Sequence, residues 1–206
     1  MPRTPGPRHR ESFAERRGRR AGIDDPQVVL NAAARFLEVR SRSVDEVRRY
    51  LTQAGYRPEL VAAAVARLTE LGMLDDAAFA RTWVESRDRA RPRSEAALRR
   101  ELTLKGIARE LAGEVLDERR AGDSGRGGGA GEADEAGEGP DMLAAERLLQ
   151  KRGGALTRIG DPRERRRRAY ALLARNGFDP EVCREATARF LAPAQDSADD
   201  PSTGDG

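Results

Sequence analysis

The chain has 206 residues, with 38 Lys and Arg against 35 Asp and Glu, a net charge of +3 and 38% apolar residues. The apolar set is dominated by 33 Ala and 19 Leu, against 10 Val and 3 Ile, a bias toward helix formers that excludes an all-β fold. One Cys (Cys183) rules out an internal disulfide, and a lone His (His9) in an Arg-rich tail argues against a His-based triad or a zinc cluster. No apolar run reaches the roughly 18 residues of a membrane span, and the N-terminus has no apolar signal region, so a cytoplasmic protein is expected.

Residues 1–25 combine Pro2, Pro5, Gly6 and Pro7 with seven Arg and four acids. Their small apolar surface cannot offset the entropy of ordering, so they read as a disordered Arg-rich tail. Residues 26–72 then carry three amphipathic segments, at about 27–39, 44–54 and 58–71. Val44, Val47 and Leu51 recur at helical spacing, as do Leu60, Ala64, Val65 and Leu68. Ser43-Val-Asp-Glu46 fits a capping box. Residues 73–118 predict a second trio, at 76–88, 94–105 and 109–118. Asp75-Asp76, just before Ala77-Ala78-Phe79, reads as helix capping rather than as a metal loop, because the Gly and distal Glu of such a loop are missing.

Residues 119–139 contain eight Gly with scattered acids, the composition of a flexible linker. Within them Gly125-Arg-Gly127-Gly-Gly-Ala130 nominally matches a dinucleotide loop, but no strand precedes it, so low complexity is the better reading. Residues 140–191 predict a third trio, at 141–152, 162–176 and 180–191, with Asp179-Pro180 as N-cap and first helical residue. Residues 192–206 form an acidic tail expected to be disordered.

The three trios are copies of one unit. Leu51-x3-Gly55-Tyr56-x2-Glu59-Leu60 repeats 51 residues later as Leu102-x3-Gly106-Ile107-x2-Glu110-Leu111, and after a further 71 as Leu173-x3-Gly177-Phe178-x2-Glu181-Val182. The extra 20 residues of the second offset match the Gly-rich linker in length. Upstream, Arg40-Ser-Arg42-Ser43 parallels Arg91-Pro-Arg93-Ser94. A three-helix unit of this size buries little, so neighbours should share a core. The expected architecture is all-α, with three tandem three-helix repeats of helix-turn-helix type in an elongated array.

The stretch Leu68-Thr-Glu-Leu-Gly72-Met-Leu-Asp75-Asp76-Ala-Ala-Phe79-Ala80, followed by Leu98-Arg-Arg-Glu-Leu102-x2-Lys105-Gly106-Ile107, resembles the RecX family of bacterial recombinase regulators. Arg42-Ser43-x2-Glu46-Val47 and Tyr170-x-Leu-Leu173-x3-Gly177-Phe178 extend the resemblance over about 28–191. Two departures stand out: Arg91-Pro92-Arg93 occupies a place where the family usually has a Gly-containing turn, and 119–139 is an insertion. The resemblance implies a non-enzymatic protein without cofactors, acting as a monomer in DNA repair, homologous recombination and the SOS response. It further implies binding to the RecA filament on single-stranded DNA and restraint of its ATPase, strand-exchange and coprotease activities. Contact with single-stranded DNA is expected to be weak or made through the filament.

The residues offer basic patches rather than catalytic constellations. Segment 158–175 carries seven Arg against Asp161 and Glu164, and the run Arg165, Arg166, Arg167, Arg168 must spread around a helix, leaving guanidiniums for phosphate or an acidic protein groove. Arg48 and Arg49 in the first unit match Arg99 and Arg100 in the second, with Lys105 one turn beyond. The 158–175 patch has a plainer reading as a solvated face in an Arg-biased sequence, and so do Arg48, Arg49, Arg99 and Arg100, because Asp45, Glu46 and Glu95 can pair with them on the same helices. Cys183 stands where the other units have Val61 and Ala112, as a buried thiol would. Trp83, Phe36, Phe79 and Phe178 fall at core spacing. The alternative function is a helix-turn-helix module acting on DNA directly, although the segments after the three Gly begin with Pro/Glu or Arg/Glu, which suits a phosphate-lined groove poorly.

Overall fold

The computed structural model describes residues 11–124 and 139–192. Among these the chain is wholly helical: α1 (Phe13–Ala21), α2 (Pro26–Glu38), α3 (Val44–Ala54), α4 (Pro58–Glu70), α5 (Asp76–Ala90), α6 (Glu95–Leu104), α7 (Arg109–Ser124), α8 (Pro140–Thr157), α9 (Pro162–Arg175) and α10 (Pro180–Leu191). Helices α2–α4, α5–α7 and α8–α10 are the three expected trios. The chain divides into two compact units, one of residues 1–86 and 98–122, the other of 87–97 and 123–206.

The first unit holds two apolar cores. One gathers Val29 and Ala33 of α2, Val47 and Leu51 of α3, and Val61, Val65 and Leu68 of α4. The other gathers Phe79 and Val84 of α5, Leu98 and Leu102 of α6, and Ala112, Val115 and Leu116 of α7. The second unit has one core, built on Leu148 and Leu149 of α8, Leu173 of α9 and Cys183 and Ala186 of α10. The repeated Leu51, Leu102 and Leu173 are each fully buried, and each contributes about 1.5–3 kcal/mol. Burial raises the pKa of the Cys183 thiol, with Asp179 adding to the effect, so it sits as a packing residue.

Each α3-type helix ends on a glycine in the left-handed region, at φ 100° for Gly55, 79° for Gly106 and 89° for Gly177. These corners are also docking points. Within the first unit, fully buried Ser43 caps α3, accepting from the Glu46 N–H at 3.1 Å, and donates its hydroxyl to the Lys105 carbonyl at 2.5 Å. Asp76 accepts from the Val44 N–H at 2.9 Å. Within the second unit the same joint recurs: Ser94 accepts from Ala97 N–H at 3.2 Å and donates to the Gly177 carbonyl at 2.6 Å, while Asp141 accepts from Glu95 N–H at 2.8 Å. The adjacent acids thus divide their work. Asp75 caps its own helix through the N–H groups of Ala77 and Ala78, at 2.8 and 2.9 Å, and Asp76 caps α3.

Three expectations need correction. The segment 1–25, expected to be disordered, contains α1. Ser12 and Glu15 form a capping box, and Arg17 packs so closely on the Gly55 corner that a Cβ there would lie 2.5 Å from its Cγ. Arg20 completes the contact, donating to the Ala54 carbonyl at 3.4 Å. Helix α1 therefore covers the first Gly corner, as the α3 N-terminus covers Gly106. Helix α7 runs six residues past the expected start of the linker, and α8 continues through Gly153 and Gly154, five residues beyond its expected end. Gly153 lies against Phe190, whose ring atoms would be 3.6 Å from a Cβ. The Gly125–Ala130 motif, the rest of the linker and the 193–206 tail lie outside the described residues.

Candidate functional site

In the first unit α3 aims Glu46, Arg49, Tyr50 and Gln53 to one side, at positions i, i+3, i+4 and i+7. With Phe36 of α2, Arg42 of the preceding turn, and Leu104 and Lys105 at the end of α6, they line an open groove of about 310 Å³. Phe36 and Tyr50 stack with ring centroids 4.0 Å apart and planes 6° from parallel. The Arg42 guanidinium carbon lies 4.1 Å from the Phe36 centroid. Two groups that close cannot share a ring face, so the order is Arg42, Phe36, Tyr50. Tyr50 is 37% exposed and Leu104 76% exposed.

The charges of the groove are unevenly committed. Glu46 accepts from Arg40 at 3.1 Å and from the Lys105 ammonium at 2.8 Å. Burial opposes its ionisation, but the hydrogen bonds from Arg40 and Lys105 and their charges outweigh it, holding the carboxyl at about 2. Lys105 also sits 4.6 Å from the Trp83 ring centroid. Arg49 pairs with Asp45 at 2.9 Å and donates to the Leu104 carbonyl at 3.3 Å. Arg42 is different: its Nε is buried and has no hydrogen-bond partner.

Of the basic residues expected from sequence, the fold therefore brings Arg49 and Lys105 together and leaves others outside this groove. Arg48 pairs with Asp45 at 3.9 Å, and neither Arg99 nor Arg100 lines the groove. The residues that sequence reasoning missed are Arg42, Tyr50, Gln53 and Leu104. A usable signal existed for Leu104, which lies off the Leu98 and Leu102 register of the core.

In the second unit the four consecutive arginines of α9 have separate fates. Arg165 is a structural residue, with Nε and one terminal nitrogen donating to the Ile159 carbonyl at 3.0 and 2.7 Å. Arg167 and Arg168 share Glu164, at 2.6 and 2.7 Å, and both are well exposed. That sharing holds the Glu164 carboxyl below its ordinary range, with the Arg168 hydrogen bond the largest cause. Arg166 points to a groove between α9 and α10, lined also by Tyr170, Arg184 and Thr187 and by the carboxylates Glu181 and Glu185. Thr187, buried where the other repeats have Val65 and Leu116, has a hydroxyl with no hydrogen-bond partner.

Comparison with known proteins follows the repeats. Residues 30–68 match the domain described as RecX, first three-helix domain; 75–116 match RecX, second three-helix domain; and 142–187 match RecX, third three-helix domain. The regulatory protein RecX of Mycobacterium ulcerans is 32% identical over 162 residues, 79% of this chain and 84% of that one. That of Amycolatopsis mediterranei is 33% identical over 143 residues, 69% and 71% of the two chains. A crystal structure of RecX from Lactobacillus salivarius is 17% identical, with a TM-score of 0.59 over 81% of this chain and 97% of that one, a likeness of fold. With three domains matched in order and relatives at this identity over most of their length, the chain belongs to the RecX family.

Proposed function

We propose that the protein is a non-enzymatic regulator of the RecA recombinase, binding its filament on single-stranded DNA and restraining ATP hydrolysis, strand exchange and coprotease activity. The observation that carries this reading is the in-register match of all three repeats to the RecX domains, together with relatives named regulatory protein RecX. The exposed guanidiniums support it: Arg48 and Arg49 on α3, and Arg166, Arg167 and Arg168 on α9, offer donors to an acidic or phosphate-bearing surface. Arg100, exposed on α6, and Arg99, half-buried beside it, remain candidates, and Lys105 is one of lower reach because Glu46 already holds it. No described helix is long and apolar enough to cross a membrane.

Direct reading of duplex DNA by the helix-turn-helix corners has less support. Arg17 covers the Gly55 corner and Asp45 covers the Gly106 corner, and the helices that follow open on Glu59 and Glu110. The test is co-sedimentation of the protein with recombinase filaments, with recombinase lacking DNA, and with bare DNA. The regulator reading expects preferential recovery with filaments. Equal recovery with bare duplex DNA and none added by recombinase would overturn it.

A further inference from the structure

We infer that the groove of the first unit is a stacking site for one nucleotide of single-stranded DNA, with the base on the open face of Tyr50 and the phosphate on Arg49. The inference rests on the reading of the chain as a protein that works beside single-stranded DNA, and it adds where that strand is touched. Phe36 covers one face of Tyr50 at 4.0 Å, and the tyrosine, more than a third exposed, lines the groove. The Arg42 guanidinium on the far face of Phe36 fixes the ring pair from behind. The result is an aromatic platform assembled by the fold itself.

The surroundings suit a nucleotide in three respects. The lining carries Arg42, Arg49 and Lys105 against Glu46 alone, and Glu46 is occupied by Arg40 and Lys105. Arg49 lines the groove with half its side chain exposed, and the guanidinium N–H donors not spent on Asp45 and Leu104 can meet a phosphate oxygen. Leu104, exposed at the rim, offers an apolar edge to sugar or base, and Gln53 offers both a donor and an acceptor to any base. A carboxylate-bearing peptide needs the cations but not the exposed ring face, whereas a base uses both. Duplex DNA does not fit, because a stacked base must be unpaired and turned out.

The test uses the full chain and a fluorescein-labelled oligothymidylate, read by anisotropy, with no recombinase present. Tyr50→Ala should weaken binding about tenfold, while Tyr50→Phe, which keeps the ring, should stay near the original affinity. Arg49→Ala should weaken binding and lower the salt slope by about one. Photocrosslinking with a 5-iodouracil-substituted strand should place the adduct on Tyr50. Unchanged affinity of Tyr50→Ala with far-UV circular dichroism intact, or adducts confined to α9, would overturn the inference. So would a Tyr50→Ala variant that binds the oligonucleotide normally but no longer binds filaments, which would make the groove a protein-docking surface. If the oligonucleotide results are as expected and the unaltered protein leaves the recombinase untouched, the nucleotide site stands and the filament reading falls.

Discussion

Gly106 carries the joint that builds the groove, and its replacement by Ala separates backbone strain from lost docking. The residue has φ 79°, and a Cβ there would lie 2.3 Å from Asp45 Cβ and 2.6 Å from Asp45 Cγ. The obstructing atom is a Cβ, fixed to the backbone of α3, so the helix itself must move. Gly72 is the control, with φ 68° and nothing within 4 Å of an added Cβ. Gly72→Ala should cost only the left-handed strain of a non-glycine residue, about 1–2 kcal/mol. Gly106→Ala adds displacement of α3 and with it the Ser43 hydrogen bond to Lys105, at 2.5 Å, and the Lys105 pair with Glu46, at 2.8 Å. These contribute a further 1–3 kcal/mol, for a total of about 2–5 kcal/mol. Trp83, the single tryptophan, lies under Lys105 and reports the joint by fluorescence during urea unfolding. Equal loss of stability in the two variants would refute the docking argument.

Other consequences follow from the same contacts. Ser43→Ala and Ser94→Ala should each cost about 2 kcal/mol, the sum of a lost N-cap and an orphaned buried carbonyl, measured by urea unfolding. An effect at one position without the other would show that the two joints are not equivalent. Glu46 is held at about 2, below the usual 4.5, so its stabilisation is complete above about pH 4.5 and is lost as pH falls toward 2. Allowing for solvent around Arg40, Glu46→Gln should lose about 1–2 kcal/mol at pH 7 and nearly nothing at pH 2, and a gap that does not narrow would contradict the pairing. Arg165→Ala should lower the melting temperature, because it removes two hydrogen bonds to Ile159. Arg166→Ala should leave that temperature unchanged while weakening filament binding; the reverse pattern would exchange their roles.

Much of this architecture was legible in the sequence because helical period, capping pairs and left-handed glycines are local signals. Ser43 and Glu46, three residues apart, announce a helix start, and Gly55, Gly106 and Gly177 announce three ends. Helix α1 carries the same start signal in Ser12 and Glu15 but no buried residue to support it, and its anchor is a corner more than thirty residues away. Helix α8 runs through Gly153 and Gly154, past the end expected at 152, and Gly153 there makes ordinary contact with the Phe190 ring of α10. The basic candidates were chosen by charge, and charge alone does not tell Arg165, spent on a carbonyl, from Arg166, facing a groove. The Phe36–Tyr50 stack joins residues from two helices, and only the folded α2–α3 pair brings them together.

The central claim, regulation of the recombinase filament, is tested most directly by titrating the protein into the ATPase reaction of the cognate RecA on single-stranded DNA. The account predicts progressive inhibition, diminished when Arg49 and Arg166 are both replaced by Ala. Inhibition well below one copy per recombinase monomer indicates action at filament ends, and inhibition near equimolar amounts indicates occupation of the filament groove. An unchanged ATPase rate in the presence of folded, helical protein at equimolar amounts and above would contradict it.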